Sequence, residues 1–145
     1  MQTAILRVSD AVSRREAPDL AGPQMAQLVE AGGGTVVAME VLPDDFALIE
    51  DRLHHFADAG CALVLTIGGI GPGRAEITTE ATRAVLERDA PAIAEAVRAT
   101  GRAVDPERAL LWRGTAGWVG ATLIVNLPDR HVDTIFGVVS DLLDG

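Results

Sequence analysis

The sequence predicts an α/β fold whose mostly parallel sheet carries helices on both sides. Three observations carry that expectation. Short apolar, β-branched blocks alternate with segments of helical periodicity along the chain. One block, CALVLT at 61–66, is almost continuously apolar, as a central strand covered on both faces should be. The intervals between strand-like blocks are long enough for crossover helices, which join parallel neighbours. At 145 residues the chain has the length of one domain, and residues 1–145 read as a single unit.

The elements follow in order. TAILRV at 3–8 reads as the first strand, and a polar stretch without periodicity then runs from Ser9 to Ala21. Gly22-Pro23 reads as the cap and first residue of a helix, because proline tolerates a position whose N–H has no helical partner. Met25, Leu28 and Val29 recur at helical spacing, and Gly32-Gly33-Gly34 stops the pattern. TVVAMEVL at 35–42 is the second strand. Pro43-Asp44-Asp45 offers a turn and an N-cap, and Phe46, Ile49, Leu53 and Phe56 make one buried helix face that Gly60 ends. After the central strand, Ile67–Ile77 is a glycine-rich loop, and Thr78 is placed to cap a short helix reaching Leu86. Asp89-Ala90-Pro91 opens a further helix, expected to stop at Gly101. Leu110-Leu111 suggests a short strand, and ATLIVN at 121–126 is the last clear one. Val132, Ile135, Phe136, Val139 and Leu142 stripe a C-terminal helix that opens after Asp129.

Composition removes several function classes. All twelve cations are Arg, against twenty-one Asp plus Glu, for a net charge of −9. Without Lys the chain has neither a Walker A loop nor a Schiff-base nucleophile. An acidic chain without a basic stripe is also a poor ligand for nucleic acid or an anionic membrane. The lone Cys61 has no internal disulfide partner, which fits a reducing cytoplasm, and no apolar run has the ~20 residues of a membrane span. His54 and His55 are adjacent and lack metal-ligand spacing. Trp112 and Trp118 read as packing or interface residues, with stacking on a ring ligand as the alternative.

Ligands of parallel sheets gather at the carboxyl ends of strands. The loop Gly68-Gly69-Ile70-Gly71-Pro72-Gly73-Arg74 leaves the central strand there. Its glycines let bare N–H groups approach an anion, and they serve equally well in a tight turn without a ligand. Both readings stay open on the residues alone.

Three stretches together resemble one family. Thr66-Ile67-Gly68-Gly69-Ile70-Gly71 through Glu76-Ile77-Thr78-Thr79-Glu80-Ala81-Thr82 is similar to the T-x-G-G-T-G…D-x-T-P-E-A-T signature of the molybdopterin adenylyltransferase (MogA/MoaB-like) family. Ser9-Asp10-Ala11-Val12-Ser13, with Asp19 and Gly22-Pro23, resembles its S-D-S…D…S-G-P opening. The segment from Arg113 to Pro128 resembles its R-x-x-A-G-x-x-G-x-T-L-I-V-N-L-P stretch. The resemblance implies a three-layer α/β/α domain of the molybdopterin-binding type, a homotrimer, with pterin and nucleotide in one cleft. It implies nucleotidyl transfer: molybdopterin phosphate attacks the α-phosphorus of ATP in the presence of Mg²⁺, giving adenylylated molybdopterin and pyrophosphate. The alternative is a paralogue of the same fold that binds a pterin or another ligand, or acts in assembly, without transfer.

The resemblance assigns catalysis and Mg²⁺ binding to Asp44 and Glu76, and substrate binding to Ser9, Asp10, Ser13, Gly68, Gly69, Gly71, Arg113, Asn126 and Pro128. Each assignment has a plainer reading. Asp44 is a good helix N-cap, Ser9, Asp10 and Ser13 are good turn formers, and Arg113 is a candidate for a surface ion pair. Arg74, Arg113 and Arg130 are the cations that the sequence sets in ligand loops. The chain departs from the family pattern at Ile70 (Thr in the pattern), Glu76 (Asp), Thr79 (Pro) and Trp112 (Ser), and at Asp129-Arg130-His131 (Gly-Ser/Met-Pro). Arg130 is the expected counter-charge to Asp129.

Overall fold

A computed structural model describes Met1–Asp144. Its strands are β1 (Gln2–Val8), β2 (Thr35–Leu42), β3 (Leu63–Ile67), β4 (Arg88–Asp89), β5 (Ala116–Val119) and β6 (Thr122–Leu127). Its helices are α1 (Asp10–Ser13), α2 (Ala21–Ala31), α3 (Phe46–Asp58), α4 (Thr78–Val85), α5 (Pro91–Val104), α6 (Pro106–Ala109) and α7 (Val132–Asp144). The strands form one sheet in the order β2-β1-β3-β6-β5-β4, parallel from β2 to β6 and antiparallel on both sides of β5.

Alternation along the strands feeds two cores. Ile5, Leu65 and Val125 face α2, α5 and α7 through Met25, Val97, Ile135 and Val139. Leu6, Val64 and Ile124 face α3 and α4 through Ile49, Leu53, Phe56, Ala81 and Val85. The predicted α/β architecture with helices on both faces is therefore present, and Cys61 lies buried in the second core.

Register aligns the site. Arg7 pairs with Ile67, and Ile67 with Leu127, so β1, β3 and β6 end at one level. Val8 pairs with Leu42, which brings the loop after β2 to the same edge.

Four local expectations give way. Leu110 and Leu111 are not a strand; α6 ends at Ala109, and both leucines lie exposed in the turn behind it. The strand beside β6 is β5, whose Gly117 and half-exposed Trp118 make no apolar run, although β5 hydrogen-bonds along β6. Gly101 does not stop α5, which continues to Val104; a side chain at 101 would overlap the Trp112 ring, so the glycine is there for packing. Thr78 is not a cap: Ile77 holds that position, and Thr78 is the buried first residue of α4. In a milder shift, α2 starts at Ala21, and the Asp19 carboxylate accepts the Gly22 N–H at 2.9 Å.

Candidate functional site

The carboxyl ends of β1, β3 and β6 open onto a cleft of about 260 Å³, lined by Gly68–Pro72, Glu76, Trp112 and the Pro128–Arg130 segment. Its floor is the glycine loop. Gly68 and Gly69 take φ of +100° and +70°, which L side chains rarely adopt. A Cβ at Gly68 would come 2.5 Å from Val8 O and 2.6 Å from Arg7 Nη1, so the chain passes there with nothing but hydrogen on its α-carbon.

Arg7 is the cation beneath this floor. Its Nη1 donates to Val8 O and Ile67 O, both at 3.2 Å, and its Nε to Asp19 Oδ1 at 3.2 Å. Its Nη2 reaches Asp129 Oδ2 at 3.3 Å. The counter-charge of Asp129 is thus Arg7, not the expected Arg130, because the guanidinium at the end of β1 lies directly under the turn after β6. Sequence reasoning passed over Arg7; the signal was a charged residue inside the otherwise apolar TAILRV, which needs a partner once buried.

Beside the cleft stands an acidic corner. Asp45, not Asp44, caps α3 by accepting the Leu48 N–H. Asp44 is thereby free of capping, and its own N–H donates to Asp10 Oδ1 at 2.9 Å. Burial, then the Asp10 charge, raise the Asp44 carboxyl above the usual carboxylate range; the backbone N–H of Asp10 acts against this, Glu76 adds to it, and the Arg7 charge partly offsets it. Asp44 Oδ1 is buried without a hydrogen-bond partner, as is Thr78 Oγ1. Both point at the same spot: a Cβ on Gly69 would overlap Thr78 Oγ1 and lie 3.3 Å from Asp44 Oδ1.

The remaining expected site residues divide into two sets. Gly68, Gly69, Gly71, Glu76 and Pro128 line the cleft, whereas Ser9, Asp10 and Asp44 form the neighbouring rim. Ser9 caps α1 through the Val12 N–H, and Ser13 is exposed at the helix end. The Glu76 carboxylate folds into the glycine loop, accepting from Gly71 N at 3.1 Å and Gly73 N at 3.0 Å. Arg113 stands behind that loop, with donors to Gly71 O, Glu76 O and Glu80 Oε1 at 2.9, 2.7 and 2.6 Å. Asn126 is buried: its amide donates to Thr66 Oγ1 and Thr82 Oγ1, and its Oδ1 accepts the Thr115 N–H. It ties β3, β6 and α4 together below the cleft. Of the remaining cations, Arg108 and Arg130 line the cleft and Arg74 does not. Arg108 was not among the expected ones.

Three of the departures from the family pattern, Ile70, Trp112 and Asp129, leave the cleft open. Ile70 is buried, with its Cδ1 end against Gly114, and contributes to the cleft lining. Trp112 packs an edge against Gly101 and forms a wall, and Asp129 is drawn toward Arg7.

Among the described residues, no group of three or more His, Cys, Asp or Glu is gathered to hold a metal. The donor set nevertheless suits a hard cation of the Mg²⁺ type. Such an ion takes one or two carboxylates and fills its other positions with phosphate oxygens and water, and Asp44 presents a carboxylate oxygen without a partner.

A mostly parallel sheet with a glycine loop, an acidic corner and arginines at its carboxyl edge defines an α/β protein with its cleft where such sheets place ligand sites. Comparison with known proteins names the family. Residues 4–135 match the family model described as "Probable molybdopterin binding domain". The molybdenum cofactor synthesis protein cinnamon of Drosophila melanogaster is 32% identical over 96% of this chain, which spans 24% of that protein. The molybdopterin adenylyltransferase of Helicobacter pylori (strain J99) is 34% identical over 90% of this chain and 77% of its own length. The structure of the molybdopterin biosynthesis enzyme MoaB from Thermus thermophilus superimposes with a TM-score of 0.87 at 36% identity, covering 99% of this chain and 89% of that one.

The chain belongs to the molybdopterin-binding-domain family, and that membership places it in molybdenum cofactor biosynthesis. No helix of the described residues is long and apolar enough to cross a membrane.

Proposed function

We infer that the protein is a cytoplasmic molybdopterin adenylyltransferase, transferring AMP from Mg-ATP to the molybdopterin phosphate with release of pyrophosphate. The observation that supports this best is the positive-φ loop at Gly68-Gly69 set against the unpartnered Asp44 carboxylate oxygen. Nucleotidyl transfer is mainly positioning and charge neutralisation. The loop's backbone holds phosphate oxygens, Arg7 below and Arg108 and Arg130 alongside supply positive potential, and Pro128 and Trp112 wall the cleft against the pterin and base rings. Asp44 and Glu76 are the residues that would hold Mg²⁺, with Asp10 fixing the backbone of Asp44. A divalent cation held there would supply charge neutralisation to the phosphate oxygens. In this reading Ser9, Asp10 and Ser13, in and beside the short helix after β1, would bind the substrates from that side.

The reading includes a homotrimer. Exposed Met39 and Val41 on edge strand β2 support a surface covered by a second chain, and light scattering giving one chain's mass at micromolar concentration would reject it.

The activity is tested by incubating the protein with molybdopterin, ATP and Mg²⁺ and following pyrophosphate and adenylylated pterin together. Both products form in equal amounts, and Asp44→Ala abolishes both; full activity in Asp44→Ala removes that residue from catalysis. A second reading, a paralogue that binds without transfer, is favoured by the Glu76 carboxylate being turned into the loop. It is upheld if both ligands bind and no product forms.

A further inference from the structure

The geometry points to Glu76 as a built-in anion that occupies the glycine loop's amide pair, so that a phosphoryl group enters this site only by displacing it. The inference rests on reading the cleft as a phosphate site.

The carboxylate straddles two main-chain donors. Oε1 accepts from Gly71 N at 3.1 Å and Oε2 from Gly73 N at 3.0 Å. Two converging N–H groups on a glycine loop are the arrangement that backbone concavities offer to anions. The contact is close on its other side as well: a Cβ at Gly71 would stand 2.5 Å and 2.7 Å from the two carboxylate oxygens. Glu76 and Gly71 both line the cleft beside Gly68 and Gly69. Of the two donors held by the carboxylate, Gly71 N is therefore one that an incoming phosphate in this cleft would use, and Gly73 N adjoins it two residues on.

The loop does not depend on this contact for its shape. Arg113 grips it from behind through Gly71 O and Glu76 O, and the Arg113 N–H donates to Ile70 O at 2.8 Å. The Glu76 N–H itself closes a turn onto Gly73 O at 3.0 Å. The backbone is thus fixed while the side chain is free to leave. Side-chain length matters too. An aspartate at this position would carry its carboxylate about 1.5 Å less far, one C–C bond short of bridging both amides.

Occupancy by an internal anion lowers the apparent affinity for any external one by the fraction of time the amides are open. Removing the carboxylate, or shortening it, raises that fraction. The probe is inorganic pyrophosphate, titrated calorimetrically in EDTA so that no metal contributes, with each variant's melting temperature recorded.

Glu76→Ala and Glu76→Gln each tighten pyrophosphate binding about tenfold or more over the wild type, equivalent to about 1.4 kcal/mol. Glu76→Asp keeps the charge and breaks the bridge, and it also binds more tightly than the wild type. Asp44→Asn removes an equal charge from the adjoining corner and gains less than Glu76→Ala.

Glu76→Ala binding no better than the wild type would make the carboxylate a loop brace and end the proposal. A gain in Glu76→Ala matched by Asp44→Asn and absent from Glu76→Asp would reduce it to simple repulsion. Pyrophosphate failing to bind any variant would overturn the phosphate-site reading itself, an outcome distinct from the other two.

Discussion

Replacing Arg7 by Met keeps most of the side chain's length and apolar stem while deleting the guanidinium beneath the cleft floor. Four contacts are lost: those to Val8 O, Ile67 O, Asp19 and Asp129. The Asp129 partner is 48% exposed, so that pair contributes no more than about 1 kcal/mol. The Asp19 pair is different, with side chains only 10% and 14% exposed. Asp19 retains its capping bond to the Gly22 N–H but loses its counter-charge, and two strand-end carbonyls lose donors. Stranding buried polar partners costs about 1–3 kcal/mol each, and breaking a buried ion pair about 3–5 kcal/mol in total. A loss of about 3–5 kcal/mol is therefore expected in urea unfolding with an unchanged m-value. For a chain of this length that is a fall in Tm of roughly 10 °C or more. A double-mutant cycle with Asp19→Asn assigns at least about 1 kcal/mol to the pair itself. A loss below about 1 kcal/mol would mean that water replaces the guanidinium without penalty, and Arg7 would not be the brace of the cleft floor.

Asp44→Asn trades function for stability. The folded carboxyl titrates above its unfolded value, so its favourable contribution is complete at acid pH and disappears as pH rises through the folded pKa. At pH 7 the variant consequently melts higher than the wild type, the gap closes toward acid pH, and adenylyl transfer is lost; a lower melting temperature at pH 7 contradicts this. Gly69→Ala meets both a positive φ and the Thr78 hydroxyl, and loses about 2 kcal/mol or more in denaturant unfolding, along with pyrophosphate binding; near-wild-type behaviour would show that the loop is not under constraint. Gly101→Ala presses on the Trp112 ring and drives it toward the cleft, destabilising by about 1–3 kcal/mol with a change in tryptophan emission; an unaltered spectrum would place the ring elsewhere.

The sheet's parallel half and its covering helices were legible because each element carries its own pattern. TVVAMEVL is β-branched, CALVLT is almost continuously apolar, and Phe46, Ile49, Leu53 and Phe56 keep helical spacing. β4 and β5 were not, because two and four residues with a glycine and a half-exposed tryptophan hold together only by hydrogen-bonding to a neighbour. At the site, the glycine loop announced itself by composition. The choice between Asp44 and Asp45 as helix cap did not, since two consecutive aspartates differ only in where the backbone aims them. Arg7 was harder still. Its partners lie 12, 60 and 122 residues away, and only the register of β1, β3 and β6 brings them under one guanidinium. Asn126 and Arg113 show the same limit: both lie in the stretch that resembles the family, yet their hydrogen bonds run to the scaffold beneath and behind the loop.

The most direct measurement is a crystal structure of the protein with Mg²⁺ and a non-hydrolysable ATP analogue. The expected result is triphosphate oxygens on the amides of the Gly68–Gly71 turn and a metal ion against the Asp44 carboxylate, within reach of the Trp112 and Pro128 walls. A nucleotide bound away from that turn, or a metal ion with no contact to Asp44, would contradict it.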